Sequence, residues 1–261
     1  MKLSISNIAW DYINNEEVFN LMNKYCFLGL EIAPTKIFPQ NPYDELESAK
    51  TWAQTLKKDY NLTISSMQSI WFGKNEKIFN TKEERKILTN YTKKAIDFAS
   101  AIDCKNLVFG CPKNRNTEKK EDYKIAIEFF KELGDYAYSK NTTIGMEANP
   151  AIYNTNFIND TKSAINLIKE IGSKGFLLNL DFGTIIQNNE DLNILKDNVF
   201  LINHVHISEP YLALIQEREE HKTLIEILKN ENYKNFISIE MKQQEKIEDI
   251  EKIMKYLKEL I

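Results

Sequence analysis

Short apolar stretches and longer amphipathic stretches alternate along the whole chain, and this alternation limits the possible folds more than any other feature. The predicted strands are residues 3–9, 28–33, 62–69, 106–111, 143–148, 176–182, 203–208 and 236–241. The predicted helices include residues 44–60, 82–101, 122–139 and 162–171, where apolar residues recur every three or four positions. We also predict that Thr81 and Asn188 begin helices, since each stands three residues before a carboxylate.

Eight strand–helix units in 261 residues average about 33 residues each. Strictly alternating units give parallel strands with right-handed crossovers, and eight units without remainder favour closure into a barrel. We therefore predict an α/β protein with one (β/α)8 TIM barrel domain over residues 1–261. A doubly wound open sheet is the alternative, but it usually has a glycine-rich first turn, and residues 7–10 here are Asn-Ile-Ala-Trp.

The composition argues against several kinds of partner and compartment. The net charge is −4, so the basic surface that general nucleic-acid binding needs is not expected. No window approaches the roughly 18 apolar residues of a membrane span. Three cysteines without a CxxC pair indicate a reducing compartment, so we expect a soluble cytoplasmic protein.

Polar side chains interrupt four consecutive predicted strands near their carboxyl ends, where such barrels place their active sites. They are Glu147, Asp181, His206 and Glu240, separated by 34, 25 and 34 residues. Each separation is close to one repeat, so the four side chains should converge if all point inward. Taken singly, such a carboxylate is more often a solvated rim or turn residue. His204, deeper on strand seven, is expected to be a hydrogen-bonded core histidine.

Three carboxylates in one small volume repel one another unless protons or a cation neutralise them. Three carboxylates and one imidazole suit Mn²⁺ or Mg²⁺, with Co²⁺ or Zn²⁺ also open through the imidazole. The set contains no thiolate, which argues against a structural zinc site. We therefore predict one divalent metal ion, with coordination positions left for a substrate. Glu31, on strand two, is expected to support the barrel floor or the ligands.

In this order, the segments GMEANP, LNLDFG, HVHISEP and ISIEM resemble the xylose isomerase-like superfamily of TIM barrels, in particular its sugar phosphate isomerase/epimerase group. The resemblance extends to SISNIAW and GLEIAP and covers nearly the whole chain. The group includes ketose 3-epimerases, hydroxypyruvate isomerases, inosose dehydratases and endonuclease IV. The resemblance implies that Glu147, Asp181, His206 and Glu240 bind one metal ion. It also implies that Glu147 and Glu240 move protons on opposite sides of a small sugar or sugar derivative.

The implied reaction starts with removal of the proton next to a sugar carbonyl, which gives a metal-stabilised enediolate. Return of the proton to the opposite face gives epimerisation, and return to the neighbouring carbon gives aldose–ketose isomerisation. A metal-dependent dehydratase of a cyclic keto-polyol is a close alternative, because it starts with the same step. A barrel that keeps its metal but has no catalytic activity is the alternative from another class. Family members are often dimers or tetramers, so the resemblance also allows a homo-oligomer.

The chain departs from the family pattern at two places. Many members have DxxH on strand six, and here the fourth position is Thr184, so second-metal chemistry is not expected. The segment EPYLALIQEREEH lacks the arginine that directly follows HIxE in some ketose epimerases. The nuclease activity of the group is also not expected, because a multi-zinc phosphodiesterase needs several histidines and a basic groove, whereas this chain has three histidines.

Four weaker candidates for substrate contacts are Gln68, Asn149, Glu209 and Lys242. The amide of Gln68 suits a sugar hydroxyl, and the nearby Trp71 could stack on a sugar face or lie in the core. Asn149 and Glu209 follow ligand-bearing strands and could orient hydroxyl groups or cap helices. No glycine-rich loop follows strand seven or eight, so Lys242 alone is weak support for a phosphate on the substrate.

Overall fold

The eight strands form one closed parallel barrel in a computed structural model that describes residues 1–261. The strands follow one another in chain order, and β1 pairs with β8. Their bounds are β1 Lys2–Ser6, β2 Phe27–Ile32, β3 Thr63–Met67, β4 Leu107–Phe109, β5 Ile144–Glu147, β6 Phe176–Asp181, β7 Ile202–Ile207 and β8 Phe236–Ile239. The predicted (β/α)8 barrel is confirmed. Several predicted strands run too far, because buried apolar residues such as Ala33 and Ala148 continue beyond the paired segment.

Eight α-helices lie in the connections between the strands, and a ninth follows β8. They are α1 Asn15–Lys24, α2 Pro34–Ile37, α3 Leu46–Tyr60, α4 Lys82–Ala101, α5 Asp122–Ser139, α6 Thr161–Ile171, α7 Phe182–Asn188, α8 Glu219–Asn230 and α9 Ile247–Leu260. Thr81 begins α4 as predicted, and its side chain accepts a hydrogen bond from the backbone N–H of Glu84. The prediction for Asn188 is wrong. Asn188 ends α7, and Asp191 caps the 3₁₀ turn that follows.

The main hydrophobic core lies between the sheet and the helices. Helix α6 illustrates how the sequence produces it: Ala164, Ile165, Ile168 and Ile171 are buried and recur at three- and four-residue spacing. This spacing places them on one face of the helix, which packs on β6. None of the helices combines the length and the apolar composition needed to cross a membrane.

Polar contacts cross the inside of the barrel. The hydroxyl oxygens of Ser4 and Ser65 are 2.6 Å apart. The side-chain amide of Asn106 donates to Asn179 Oδ1 at 3.2 Å. These residues are buried, so their hydrogen bonds replace those that water would otherwise make. Asn179 stands in register with Glu147 on β5, so the polar interior continues into the residues singled out by the sequence.

The strand register sets the level of the candidate ligands. Asp181 on β6 pairs with His206 on β7, and Glu147 is the last residue of β5. Glu240 follows the end of β8, and its backbone N–H donates to the carbonyl of Ile207 at 2.9 Å. The four side chains therefore start from the carboxyl ends of four neighbouring strands, as the repeat spacing predicts.

Candidate metal centre and active site

The polar residues at the carboxyl ends of β5 to β8 converge on one point. One ligand atom from each of Glu147, Asp181, His206 and Glu240 lies within 4.8 Å of the others. His206 Nδ1 is 3.1 Å from Glu147 Oε1 and 3.0 Å from Glu240 Oε2. The structure thus brings together the four residues that the sequence predicts as metal ligands.

The orientation of His206 is set by hydrogen bonds to both ring nitrogens. Nε2 lies 2.8 Å from Glu31 Oε2, and both side chains are fully buried. The amide Nδ2 of Asn179, which can only donate, lies 3.3 Å from Nδ1. When the ring is neutral and Nε2 donates its proton to Glu31, Nδ1 keeps a lone pair beside Glu147 and Glu240. This is the state that a metal-binding histidine needs, with a carboxylate behind it.

Asp181 is held in place by the start of α7 and by β7. The backbone N–H of Thr184 donates to Asp181 Oδ2 at 2.7 Å, and the Thr184 hydroxyl lies 2.8 Å from the same oxygen. The hydroxyl of Ser208 donates to Oδ1. Thr184 is buried at the position where the DxxH pattern has a histidine. It fixes a candidate ligand and does not line the cavity described below.

Glu147 is oriented by two side-chain amides and a buried arginine. Asn179 Nδ2 donates to Glu147 Oε1 at 2.8 Å, and Asn149 Nδ2 donates to Oε2 at 3.2 Å. Arg115 donates from Nη1 to the carbonyl oxygen of Glu147 and from Nη2 to Asn149 Oδ1, each at 2.9 Å. Burial lowers the pKa of Arg115 to about 10, so this guanidinium stays charged at neutral pH.

Burial and mutual repulsion shift the titration of the site. Burial raises the pKa of Glu240 to about 7, and Glu147 adds to the shift while His206 opposes it. Burial and Glu147 also raise the pKa of Asp181. Burial disfavours the charged form of His206, but Glu240 and Glu31 outweigh this and raise its pKa well above the usual value. Glu147 and Glu240 therefore favour a positive charge next to His206 Nδ1. A proton on Nδ1 or a cation bound beside it can supply that charge.

The donor set fits a divalent cation. Oxygen ligands lie about 2.0–2.6 Å from Mg²⁺ or Ca²⁺, so ligand atoms around one ion are at most about 4–5 Å apart. The spacing of the four donors satisfies this limit. Glu31, His204 and His206 form a second group with similar spacing. The direct contact of 2.8 Å between Glu31 and His206 leaves no space for an ion between those two atoms.

A cavity of about 230 Å³ opens beside the cluster. Gln68, Asn149 and Glu209, three of the four weaker candidates, line it. Lys242 lies outside its wall, with an exposed side chain. The backbone N–H of Lys242 donates to the carbonyl of Leu212 at 2.8 Å. The structure therefore brings three of these residues to the cavity and leaves Lys242 at the surface.

The stacking role considered for Trp71 is wrong. Its indole N–H donates to the hydroxyl of Thr92 at 2.8 Å, and the side chain is buried. The ring packs edge-on against Phe109 and Phe129. Trp71 is therefore a core residue between the barrel and its helices, which is the other interpretation that the sequence allows.

Two supporting residues on strands could have been found from the sequence. Asn179 lies two residues before Asp181, and Ser208 lies two residues after His206. Side chains two residues apart in extended chain share a face, so the strand period alone would place both beside the ligands.

Two further residues lie in loops and had no such signal. Arg115 follows β4 and Tyr153 follows β5, where no periodicity predicts direction. Tyr153 lines the cavity, and its hydroxyl accepts a hydrogen bond from the backbone N–H of Tyr211 at 2.8 Å. Burial raises the pKa of Tyr153 to about 12, so it stays a neutral hydroxyl.

Fold and site together define the class of the protein, a (β/α)8 barrel with a candidate divalent-metal centre at the carboxyl ends of its strands. A family model described as "Xylose isomerase-like TIM barrel" matches residues 19–260. The chain belongs to this family. A search of curated proteins finds no matching sequence.

Solved structures with the same fold include sugar epimerases of this superfamily. The 3-keto-D-glucoside 4-epimerase YcjR from E. coli has a TM-score of 0.78 and 21% identity, over 100% of both chains. A D-psicose 3-epimerase from Clostridium cellulolyticum H10 has a TM-score of 0.75 and 14% identity, over 93% of this chain and 85% of its own. The probable 3-DHS dehydratase AsbF from Bacillus anthracis has a TM-score of 0.70 and 17% identity, over 98% of both chains. At such identities the similarity establishes the fold.

Proposed function

We propose that the protein is a divalent-metal-dependent sugar isomerase or epimerase in which Glu147 and Glu240 transfer the proton. The observation that carries this proposal is the convergence of Glu147, Asp181, His206 and Glu240 beside a cavity. The names of two proteins with the same fold, a 3-keto-D-glucoside 4-epimerase and a D-psicose 3-epimerase, agree with it. The metal ion and the reaction belong to the proposal together, since the same carboxylates serve both.

The environment of Glu240 suits proton transfer. A group is an efficient general acid or base when its pKa lies near the working pH. Before a cation binds, burial raises the pKa of Glu240 to about 7, so this carboxyl group takes up a proton more readily than an exposed glutamate does. Glu240 can therefore both accept a proton and return one.

Glu147 faces the same cavity from another direction. It ends β5, whereas Glu240 follows β8, and strands β6 and β7 lie between them. Asn179 and Asn149 hold both carboxylate oxygens of Glu147. One glutamate removes the proton next to the sugar carbonyl, and the other returns a proton. Return to the opposite face inverts that carbon, and return to the neighbouring carbon converts a ketose into an aldose.

The remaining residues hold the ligand atoms. His206, backed by Glu31, presents Nδ1, and Asp181, held by Thr184 and Ser208, presents a carboxylate oxygen. A divalent cation bound there supplies Lewis-acid stabilisation of the charge that develops on the sugar carbonyl oxygen. The three carboxylates favour Mn²⁺ or Mg²⁺ over softer ions.

Solvent exchange tests this function directly. The Mn²⁺-loaded protein is incubated in D₂O with single ketoses, and NMR follows deuterium entry next to the carbonyl and the formation of new sugars. We expect exchange and product with the wild type, and a loss of about a hundredfold or more in Glu147→Gln and Glu240→Gln. Glu226→Gln, an exposed change on α8, is the matched control and should keep full activity. Full activity in both site variants would contradict the proposed roles.

The same assay separates the two alternatives. Release of water with formation of a conjugated ketone would favour a dehydratase, the activity named for AsbF. No exchange with any sugar, despite bound Mn²⁺, would favour a binding protein. Elemental analysis of the wild type, Asp181→Ala and His206→Ala provides the metal content. We expect about one ion per chain in the wild type and none in either variant.

A further inference from the structure

We propose that the cavity accepts an uncharged polyhydroxy carbonyl compound, about one sugar unit in size, and discriminates against sugar phosphates and carboxylates. This inference rests on the proposed function and names the substrate class of the same site. It follows from the charges that line the cavity and from the hydrogen bonds that occupy the nearby cations.

The wall of the cavity contains acidic side chains and neutral polar groups. Fourteen residues line it, and none of them is Lys or Arg. Four are carboxylic acids, namely Glu147, Asp181, Glu209 and Glu240. When all four are ionised, one divalent cation offsets two of these negative charges and the pairing of Glu209 with Arg218 offsets a third, which leaves one negative charge. A phosphate or carboxylate group entering the cavity would therefore meet charge of its own sign.

Arg115 is close to the site but does not line the cavity. Its side chain is fully buried. Its Nη atoms donate to the carbonyl oxygens of Glu147 and Ile158 and to the side-chain oxygen of Asn149. These bonds direct the guanidinium into the wall of the barrel. Arg115 therefore supports the site from behind.

Arg218 is occupied in a similar way by an acid of the cavity wall. Its Nε donates to Glu209 Oε1 at 2.7 Å, and its Nη2 donates to Glu209 Oε2 at 2.6 Å. This two-bond pairing fits the planar guanidinium and the carboxylate, and it is a strong form of ion pair. Arg218 is the one arginine in the segment between β7 and α8. Its pairing with Glu209 leaves it unavailable to an anion in the cavity.

The lysines near the carboxyl ends of the strands are also outside the wall. Lys36 is half-buried and donates to the carbonyl oxygens of Asn7 and Trp10. Lys113 and Lys242 are exposed, and neither lines the cavity. The cavity is thus lined by acids, while Lys36 has partners of its own and Lys113 and Lys242 face solvent.

The rest of the wall suits hydroxyl groups. Gln68, Ser69, Asn149, Tyr153 and Ser208 contribute amides and hydroxyls that can both donate and accept hydrogen bonds. The cavity volume of about 230 Å³ is smaller than the roughly 300–1,000 Å³ typical of sites for drug-sized ligands. A single sugar unit matches both this size and this polarity.

Matched pairs of compounds test the inference. The Mn²⁺-loaded protein is assayed by the D₂O exchange of D-fructose against D-fructose 6-phosphate, and of D-ribulose against D-ribulose 5-phosphate. We expect kcat/KM for each phosphate to be at least about a hundredfold below that of its neutral partner. A phosphate used as well as its neutral partner, or better, would overturn the inference while leaving the proposed function in place.

A binding measurement removes the dependence on turnover. Calorimetry with ribitol and ribitol 5-phosphate, which have no carbonyl group, reports affinity in the same Mn²⁺-loaded protein. Tighter binding of ribitol supports the inference even if no sugar reacts, an outcome that would contradict the proposed function alone. Tighter binding of the phosphate, or binding of neither compound, overturns the inference.

The variant Glu209→Gln tests whether the ion pair with Glu209 keeps Arg218 from binding a substrate anion. Loss of the carboxylate removes one negative charge from the wall and frees the Arg218 guanidinium. We expect the preference for the neutral sugar over its phosphate to shrink about tenfold or more. Glu217→Gln, an exposed change of the same charge nearby, should leave the preference unchanged. A preference unaltered in Glu209→Gln would overturn the role of this ion pair in substrate selection.

Discussion

His206 Nε2 lies 2.8 Å from Oε2 of Glu31, across the inside of the barrel from β7 to β2. Burial disfavours the charged form of Glu31, but its two neighbouring histidines outweigh this and hold its pKa well below the usual range. Glu31 is therefore an ionised carboxylate in the interior, and its Oε1 has no hydrogen-bond partner. A buried negative charge behind the imidazole makes Nδ1 a better metal ligand.

Glu31→Gln should weaken metal binding while the barrel stays folded. Glutamine keeps the shape and can still accept a hydrogen bond from Nε2, but it removes the negative charge. We expect Mn²⁺ affinity to fall about 10- to 100-fold, the effect typical of carboxylates behind metal-binding histidines. Electron paramagnetic resonance of free Mn²⁺ measures the Kd, with Glu226→Gln as control. An unchanged Kd would show that the hydrogen bond alone is sufficient.

Gly110→Ala should reduce activity more than stability. A Cβ at Gly110 would lie 2.8 Å from Glu147 Oε2, so this carboxylate must move, which is easy for the end of a flexible side chain. We expect kcat to fall about tenfold or more, because even a small displacement of a catalytic group slows the reaction. Unfolding free energy should change by less than about 1 kcal/mol. Circular dichroism melts and the exchange assay measure the two effects. A Gly110→Ala variant as active as the wild type would contradict the catalytic role of Glu147.

Arg115→Met should destabilise the protein and loosen Glu147. The substitution keeps an unbranched side chain but removes the donors to two carbonyl oxygens and to Asn149. Loss of these charged donors from a buried position should cost about 2–4 kcal/mol in unfolding free energy. Urea denaturation measures this cost. Arg115→Lys, which keeps the charge but loses the forked geometry, should recover part of it. Full stability in Arg115→Met would show that the buried acceptors find other donors.

His221 should make folding stability depend on pH below neutrality. Burial lowers its pKa from 6.5 to about 4. The unfolded chain then binds this proton more readily than the folded protein, so stability present above pH 6.5 is lost as the pH falls toward 4. His221→Gln, which can keep a hydrogen bond to Tyr256, removes the titration. We expect the difference in unfolding free energy between wild type and variant to change by about 2–3 kcal/mol between pH 7 and pH 4.5. A constant difference in urea titrations would assign the pH dependence to other groups.

The sequence was most informative where a period repeats. The alternation of strand and helix patterns predicted eight strands, and the repeat spacing brought Glu147, Asp181, His206 and Glu240 to one level. Both predictions depend only on chain geometry, because parallel strands joined by similar helices return to the same edge. The roles of these residues in metal binding and proton transfer stay predictions.

The features that the sequence did not predict depend on contacts between distant parts of the chain or on local turns, and neither produces a periodic pattern. The sequence suggested that Glu31 supports the barrel floor or the ligands, but no pattern identifies His206, 175 residues away, as its partner. Arg115 lies in a loop, where the direction of a side chain depends on local turns. The prediction that Asn188 begins a helix was wrong for a local reason. Helix α7 is short and ends at Asn188, the residue where the sequence pattern suggested a helix start.

The contact between Glu31 and His206 links metal binding to the order in which the polypeptide is made. The four candidate ligands come from the second half of the chain, while the carboxylate behind His206 comes from β2 in the first half. A separately expressed C-terminal half would carry every ligand yet lack the charge that prepares the imidazole. During synthesis, the set of candidate ligands is complete only once Glu240 has emerged, directly after β8, the strand that pairs with β1. Tight metal binding would therefore report a fully closed barrel, and would be absent from partly folded chains.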